Sequence, residues 1–153
     1  MTNNMFFIAN WKMFGDLKSV KSIKKVLNLS KNKKYKKSKI IYCPPYTLID
    51  KILRLVKNSK IKVGAQNCHY LESPGAFTGS INTDLIKSSG ASYVIIGHSE
   101  NRVSGDTNEI INLKIKSALK KNLKVIFCIG ETLKEKRKNK TNIVLNSQIK
   151  KAL

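Results

Sequence analysis

The sequence predicts an α/β fold made of repeated βα units around a parallel sheet. Three observations carry that expectation. Short apolar runs alternate with longer segments of helical period. Several runs are apolar at nearly every position and rich in β-branched residues, as strands buried on both faces are. The alternation occurs five times, with no repeat of sequence between units. Periodicity alone leaves two closures open, a flavodoxin-like doubly wound sheet and a section of a (β/α)8 barrel.

The strands are expected over residues 5–9, 39–43, 61–65, 92–96 and 124–129, and the helices over 16–29, 46–57, 83–88, 107–121 and 133–153. In the first helix Leu17, Val20, Ile23, Val26 and Leu27 recur at helical spacing, and in the fourth Ile110, Ile111, Ile115 and Leu119 do the same. Asp106 or Thr107 is placed to cap the fourth helix, and Asn122 to end it. No Pro/Gly/Ser-rich linker or low-complexity tract divides the chain, so residues 1–153 are expected to form one domain.

Composition narrows the function classes. No apolar stretch approaches the roughly 18 residues of a membrane span, and the opening residues 1–7 lack a basic region leading into a long apolar run. A cytoplasmic location is expected. Cys43, Cys68 and Cys128 are odd in number and form no CxxC, which points to reduced thiols rather than a disulfide or metal framework. No metal and no cofactor is expected. The formal charge of +21 comes from lysines interleaved with Asn, Ser and Ile rather than with aromatics, including the run from Lys114 to Lys124. They read as solvated helix faces; nucleic-acid binding is not expected, and any that occurs should be salt-sensitive and without sequence preference.

The chemistry-bearing residues follow the strands, at the end that faces the crevice in α/β folds. Strand one leads into Asn10-Trp11-Lys12-Met13, where Lys12 taken alone also reads as an ordinary loop lysine. Strand four leads into Gly97-His98-Ser99-Glu100-Asn101-Arg102, which brings an imidazole, a hydroxyl, a carboxylate and a guanidinium out of one strand end. His98 can serve there as acid, base or hydrogen-bond donor. His69 has no comparable neighbours. Strand three leads into Gln66-Asn67-Cys68-His69 and then a glycine-flanked tip, Gly75-Ala76-Phe77-Thr78-Gly79-Ser80, which reads as a docking element. Strand five leads into Cys128-Ile129-Gly130-Glu131-Thr132, where Glu131 or Thr132 is placed to cap the next helix.

In order and spacing these loops resemble those of triosephosphate isomerase. The similar segments are Asn-Trp-Lys-Met, Gly-Ala-Gln-Asn, Gly-Ala-Phe-Thr-Gly, Tyr-Val-Ile-Ile-Gly-His-Ser-Glu and Cys-Ile-Gly-Glu-Thr. The resemblance runs from about Phe6 to Leu153. It implies an incomplete (β/α)8 TIM barrel, about the first five βα units of a barrel of roughly 250 residues. It implies interconversion of dihydroxyacetone phosphate and glyceraldehyde 3-phosphate in glycolysis and gluconeogenesis. Lys12 would stabilise the substrate's negative charge, Asn10 would help hold its oxygens, His98 would polarise the carbonyl and Glu100 would orient Lys12. Phe77, Thr78 and Gly79 would reach into a second subunit of a homodimer.

The resemblance also has departures. The family's glutamate base follows a sixth strand that these residues do not contain, so the chain alone is expected to be inactive and a C-terminal fragment becomes a possible partner. The family usually has Glu where Ser80 stands and Arg where Asn101 stands, a pair that meets across the subunit interface. The alternative is a basic half-barrel that binds without catalysis, or a relic.

Overall fold

A computed structural model describes residues 5–153. The opening of the predicted domain, and most of the stretch read for a leader, lie outside the described residues. Five parallel strands form the sheet: β1 (Met5–Asn10), β2 (Ser38–Cys43), β3 (Lys62–Ala65), β4 (Tyr93–Ile96) and β5 (Lys124–Phe127). Their spatial order equals their chain order. A flavodoxin-like sheet would reverse order at its switch point, so the sequential order excludes that closure. The sheet is a curled half-barrel.

The helices are α1 (Ile23–Ser30), α2 (Ile49–Val56), α3 (Thr83–Ser88), α4 (Ser99–Val103), α5 (Asn108–Lys120), α6 (Leu133–Arg137) and α7 (Thr141–Ala152). Two apolar layers result. The layer between sheet and helices joins Ile23, Ile52, Ile86, Ile111 and Leu123 to Val63, Val94 and Ile96. The inner face of the curl holds Ile41, Cys43, Tyr93 and Ile95, with Ile126 and Cys128 against them. Both sheet faces are thus apolar, which is why the central strands lack a polar alternation.

Several expected boundaries move. The first helix begins at Ile23 after a 3-10 turn over Ser19–Ser22, because Asp16 Oδ1 accepts from the Ser19 amide at 2.8 Å and its hydroxyl at 2.7 Å and closes a turn. Past Pro45, a 3-10 turn over Tyr46–Leu48 precedes α2. Strand five stops at Phe127 rather than at residue 129. The last helix is split into α6 and α7 by Asn139 at φ +55°. A short helix that periodicity does not reveal, α4, follows β4. Thr107, not Asp106, caps α5 by accepting from the Ile110 amide, and Asn122 at φ +55° ends it. Thr132, not Glu131, caps α6, in a capping box with Glu135.

Two burial expectations also change. β1 is apolar yet exposed over its first four residues, with Phe6 at 52% and Phe7 at 51%, because it forms a sheet edge. Lys114, grouped by composition with the solvated lysines, is buried. Among the described residues no helix is long and apolar enough to cross a membrane.

Candidate active site

The ends of β1, β3 and β4 converge on one concave surface, a cavity of about 610 Å³, while the loop after β5, also expected to carry chemistry, does not line it. Asn10, Lys12, His98 and Glu100 line it, from the ends of β1 and β4. Lys12 follows β1 in a left-handed conformation, φ +53°, which is uncommon for a side chain with a Cβ. The Asn10 Oδ1 accepts the Lys12 amide at 2.9 Å and secures that turn. The Lys12 ammonium thereby turns across the sheet to Glu100, with Nζ 2.9 Å from Oε1. Both side chains are about half exposed, 47% and 59%. Such a pair adds little stability in water, so its consequence is geometric: it fixes a mobile ammonium. The Lys12 hydrogen bond, helped by the Lys12 charge, holds the Glu100 carboxyl below the ordinary glutamate value.

His98 sits at the N-cap of α4, where its Nδ1 accepts from the Glu100 amide at 3.3 Å. An accepting Nδ1 leaves Nε2 to carry the proton of the neutral ring. Oε2 of Glu100 lies 3.4 Å from the same Nδ1 and becomes an ion-pair partner only when the ring is charged. The arrangement therefore offers a fixed ammonium and one imidazole N–H donor on a common rim. Gly97 makes the sharp exit from β4 possible. Its φ is +78°, and a Cβ there would lie 2.8 Å from the Cys128 carbonyl oxygen.

Arg102, grouped by sequence with His98 and Glu100, turns out of the cavity. Its guanidinium donates to the Gly97 carbonyl at 2.8 Å, to Asn108 Oδ1 at 2.8 Å and to the Cys128 carbonyl at 3.3 Å. It braces the ends of β4 and β5. The loop after β3 folds back on itself, the His69 amide donating to the Ile81 carbonyl at 2.7 Å. Phe77 at its tip is 45% exposed, yet its ring also packs on His69 of its own chain, with centroids 4.9 Å apart. Thr78 and Gly79 are exposed beside it, and Ser80 and Asn101 both line the cavity.

Sequence reading missed part of the cavity wall. His69, read as isolated, borders it, although its ring stacks on Tyr70 at 4.5 Å. Lys114 lies beneath, 2.7 Å from Asp106 and 3.0 Å from Asn67 Oδ1. The available signal was its position: Lys114 shares a helix face with Ile111, Ile115 and Ala118, where a solvated lysine does not belong. Gln148 of α7 is another buried polar residue that periodicity hides. Its amide pairs with both the N–H and the carbonyl of Gly130, at 2.9 and 2.8 Å, and pins the loop after β5. Among the described residues no group of three or more His, Cys, Asp or Glu side chains is disposed to hold a metal ion. Burial pushes the Cys43 and Cys68 thiols up to about 12, which makes them poor nucleophiles.

The sequence model of the family described as triosephosphate isomerase matches residues 5–153. The triosephosphate isomerase of Dictyoglomus thermophilum is 43% identical over 147 residues, covering 95% of this chain and 58% of the relative. That of Clostridium botulinum (strain ATCC 19397 / Type A) is 44% identical over 147 residues, with the same coverage of 95% and 58%. The crystal structure of triosephosphate isomerase from Bartonella henselae superimposes with a TM-score of 0.90 at 34% identity, covering 98% of this chain and 62% of that one. The chain thus spans about three-fifths of the length of the relatives it matches.

Proposed function

The chain belongs to the triosephosphate isomerase family over residues 5–153, and from that premise we propose that it carries one part of a site interconverting dihydroxyacetone phosphate and glyceraldehyde 3-phosphate. The observation that carries this reading is the Lys12–Glu100 pair at 2.9 Å, which holds an ammonium on the rim that His98 occupies.

The reaction moves a proton between adjacent carbons through an enediolate. The substrate brings a phosphate and develops a second negative charge at the carbonyl oxygen. Lys12 opposes both charges. The Nε2–H of His98 donates to the carbonyl oxygen as it becomes an oxyanion, and Glu100 holds Lys12 so that no reorganisation is needed at that moment. In the family the base is a carboxylate and the histidine beside it is neutral, so the imidazole acts as a donor. Asn10 has its Oδ1 occupied by the Lys12 amide and keeps its amino group to donate to a substrate oxygen.

The proton-abstracting glutamate of the family follows a sixth strand. The 153 residues, by themselves, are expected to turn over no substrate, because proton transfer to that base is the chemical step. The phosphate grip of the remaining units would be missing too. In the assembled enzyme Phe77, Thr78 and Gly79 reach toward Asn10 and Lys12 of a second copy. Neutral Ser80 and Asn101 leave no lone charge buried at that interface. The setting is cytoplasmic, in glycolysis and gluconeogenesis, with no cofactor.

The test is complementation. Fusing the chain to the last βα units of the Clostridium botulinum relative should yield isomerase activity in a coupled assay, while the chain alone shows none. A folded fusion without activity overturns the reading.

A further inference from the structure

Lys114 is a buried cation for which the proposed chemistry has no use. Its side chain is 5% exposed and borders the floor of the cavity. The ammonium lies 2.7 Å from each Asp106 carboxylate oxygen and 3.0 Å from Asn67 Oδ1. An ammonium has three N–H bonds, and these acceptors occupy all of them. Lys114 therefore has no donor left for a ligand, and its contribution must lie in what it joins.

It joins three loops. Asn67 belongs to the loop after β3, and its carbonyl accepts the hydroxyl of Tyr46 from the loop after β2. Asp106 precedes α5, and its backbone N–H donates to the Asn101 carbonyl in α4 at 3.0 Å. α4 has five residues, begins at the His98 cap and carries Glu100 in its first turn. A helix that short does not hold itself in water. Arg102 braces it from the β5 side, through Gly97 and Cys128. The Lys114–Asp106 pair braces it from the β3 side.

We propose that Lys114 is a positioning residue: through Asp106 and Asn101 it sets α4, and with it His98 and Glu100, against the loop after β3. This rests on the isomerase reading for its kinetic consequence, though not for its structural one. Displacing reacting groups by about 1 Å can cost on the order of 10²-fold in rate.

Lys114→Met alone is a poor test, because it leaves the Asp106 carboxylate buried without its cation and can unfold the chain. Lys114→Met combined with Asp106→Leu removes both charges, a replacement that buried ion pairs often tolerate. In the 153-residue chain, that double variant should keep its Tm within a few degrees. Its amides at His69, Arg102, Ser104 and Asp106, which donate to the carbonyls of Ile81, His98, Glu100 and Asn101, should exchange with deuterium at least about tenfold faster, a local opening of the kind exchange resolves, while those of β4 stay protected. In the complemented fusion its kcat/KM should fall by about 10²-fold, chiefly in kcat, despite the retained Tm. Unchanged exchange at these amides, or kinetics that recover together with Tm, overturns the proposal and leaves Lys114 merely structural. If the unmutated fusion is inactive, the isomerase reading fails and the exchange result alone decides the positioning role. Should the double variant not fold, Asn67→Ala cuts the tether to the β3 loop and keeps the ion pair. Faster exchange at His69 that extends to Arg102 and Ser104 of the α4 turn then supports the proposal, and exchange that is unchanged or faster at His69 alone overturns it.

Discussion

On the proposed isomerase reading, Lys12 and His98 meet the substrate's charge at different moments, and their replacements should separate. Lys12→Ala removes an ammonium that faces charge before and during reaction, so in the complemented fusion it should raise KM and lower kcat. His98→Ala removes a donor whose hydrogen bond strengthens as the carbonyl oxygen gains charge, so the loss should fall mainly on kcat. Removing one such preorganised donor typically costs about 10²–10³ in kcat. Steady-state kinetics of the two variants checks this, and a His98→Ala fusion with full kcat contradicts the role of His98 as the carbonyl's donor. A second consequence concerns pH. Glu100 titrates below the ordinary 4.5 because Lys12 donates to its carboxylate. A depressed carboxyl pKa means a contact that is complete above the unfolded value and lost as pH falls through the folded one. The pair is thus intact at neutral pH and breaks only in acid. NMR titration of the Glu100 carboxyl should give a midpoint below 4.5 that moves up toward it in Lys12→Met.

At the scale of elements, α5 connects the cavity floor to the core, and its first turn depends on Thr107. The hydroxyl of Thr107 accepts the Ile110 amide, one of the donors left orphaned by the helix start. Thr107→Ala should destabilise the chain by about 1 kcal/mol, read from the midpoint of urea unfolding. Thr107 directly follows Asp106, so a frayed α5 also loosens the partner of Lys114. A loss indistinguishable from zero would mean that packing of Ile111, Ile115 and Ala118 alone holds that end. Much of this scale was legible beforehand. The strands, α3 and α5 were read with small boundary shifts, because their apolar spacing is strong and their caps are conventional. α4 was not, because five residues cannot display a period. Lys114 was not, because a count of lysines does not see which face of a helix each occupies.

For the whole molecule, the sheet ends at β1 and β5, and its edges decide its solution behaviour. Met5, Phe6, Phe7 and Ile8 are exposed on one edge; Ile129 and Leu133 are exposed beyond the other. An exposed strand with free backbone groups and large apolar side chains is a template for association. The charge of +21 opposes it by mutual repulsion. The 153-residue chain should therefore bind a hydrophobic dye, and it should self-associate more strongly as salt screens the lysines. Fusion to complementary βα units should abolish both effects. Sedimentation velocity at low and high salt, with dye fluorescence, checks this; a monomer that binds no dye at high salt would show that the edges are covered in some other way.

The sequence by itself determined the class of the fold, the order of its elements and the chemical types gathered at the strand ends. Local spacing sets those: runs of β-branched residues make strands, apolar residues at helical period make helices, and a strand's exit is fixed by the residue that follows it. The chain order of strands in the sheet, and the half-barrel curl, became visible only in three dimensions, because both closures use the same period. So did the geometry. Lys12 and Glu100 stand far apart in sequence and touch at 2.9 Å, while Arg102, two residues from Glu100, points to the backbone of β4 and β5 instead. Lys114 is charged in any reading of the sequence, but only packing could bury it, and only burial makes its ammonium commit all three of its donors to neighbouring loops.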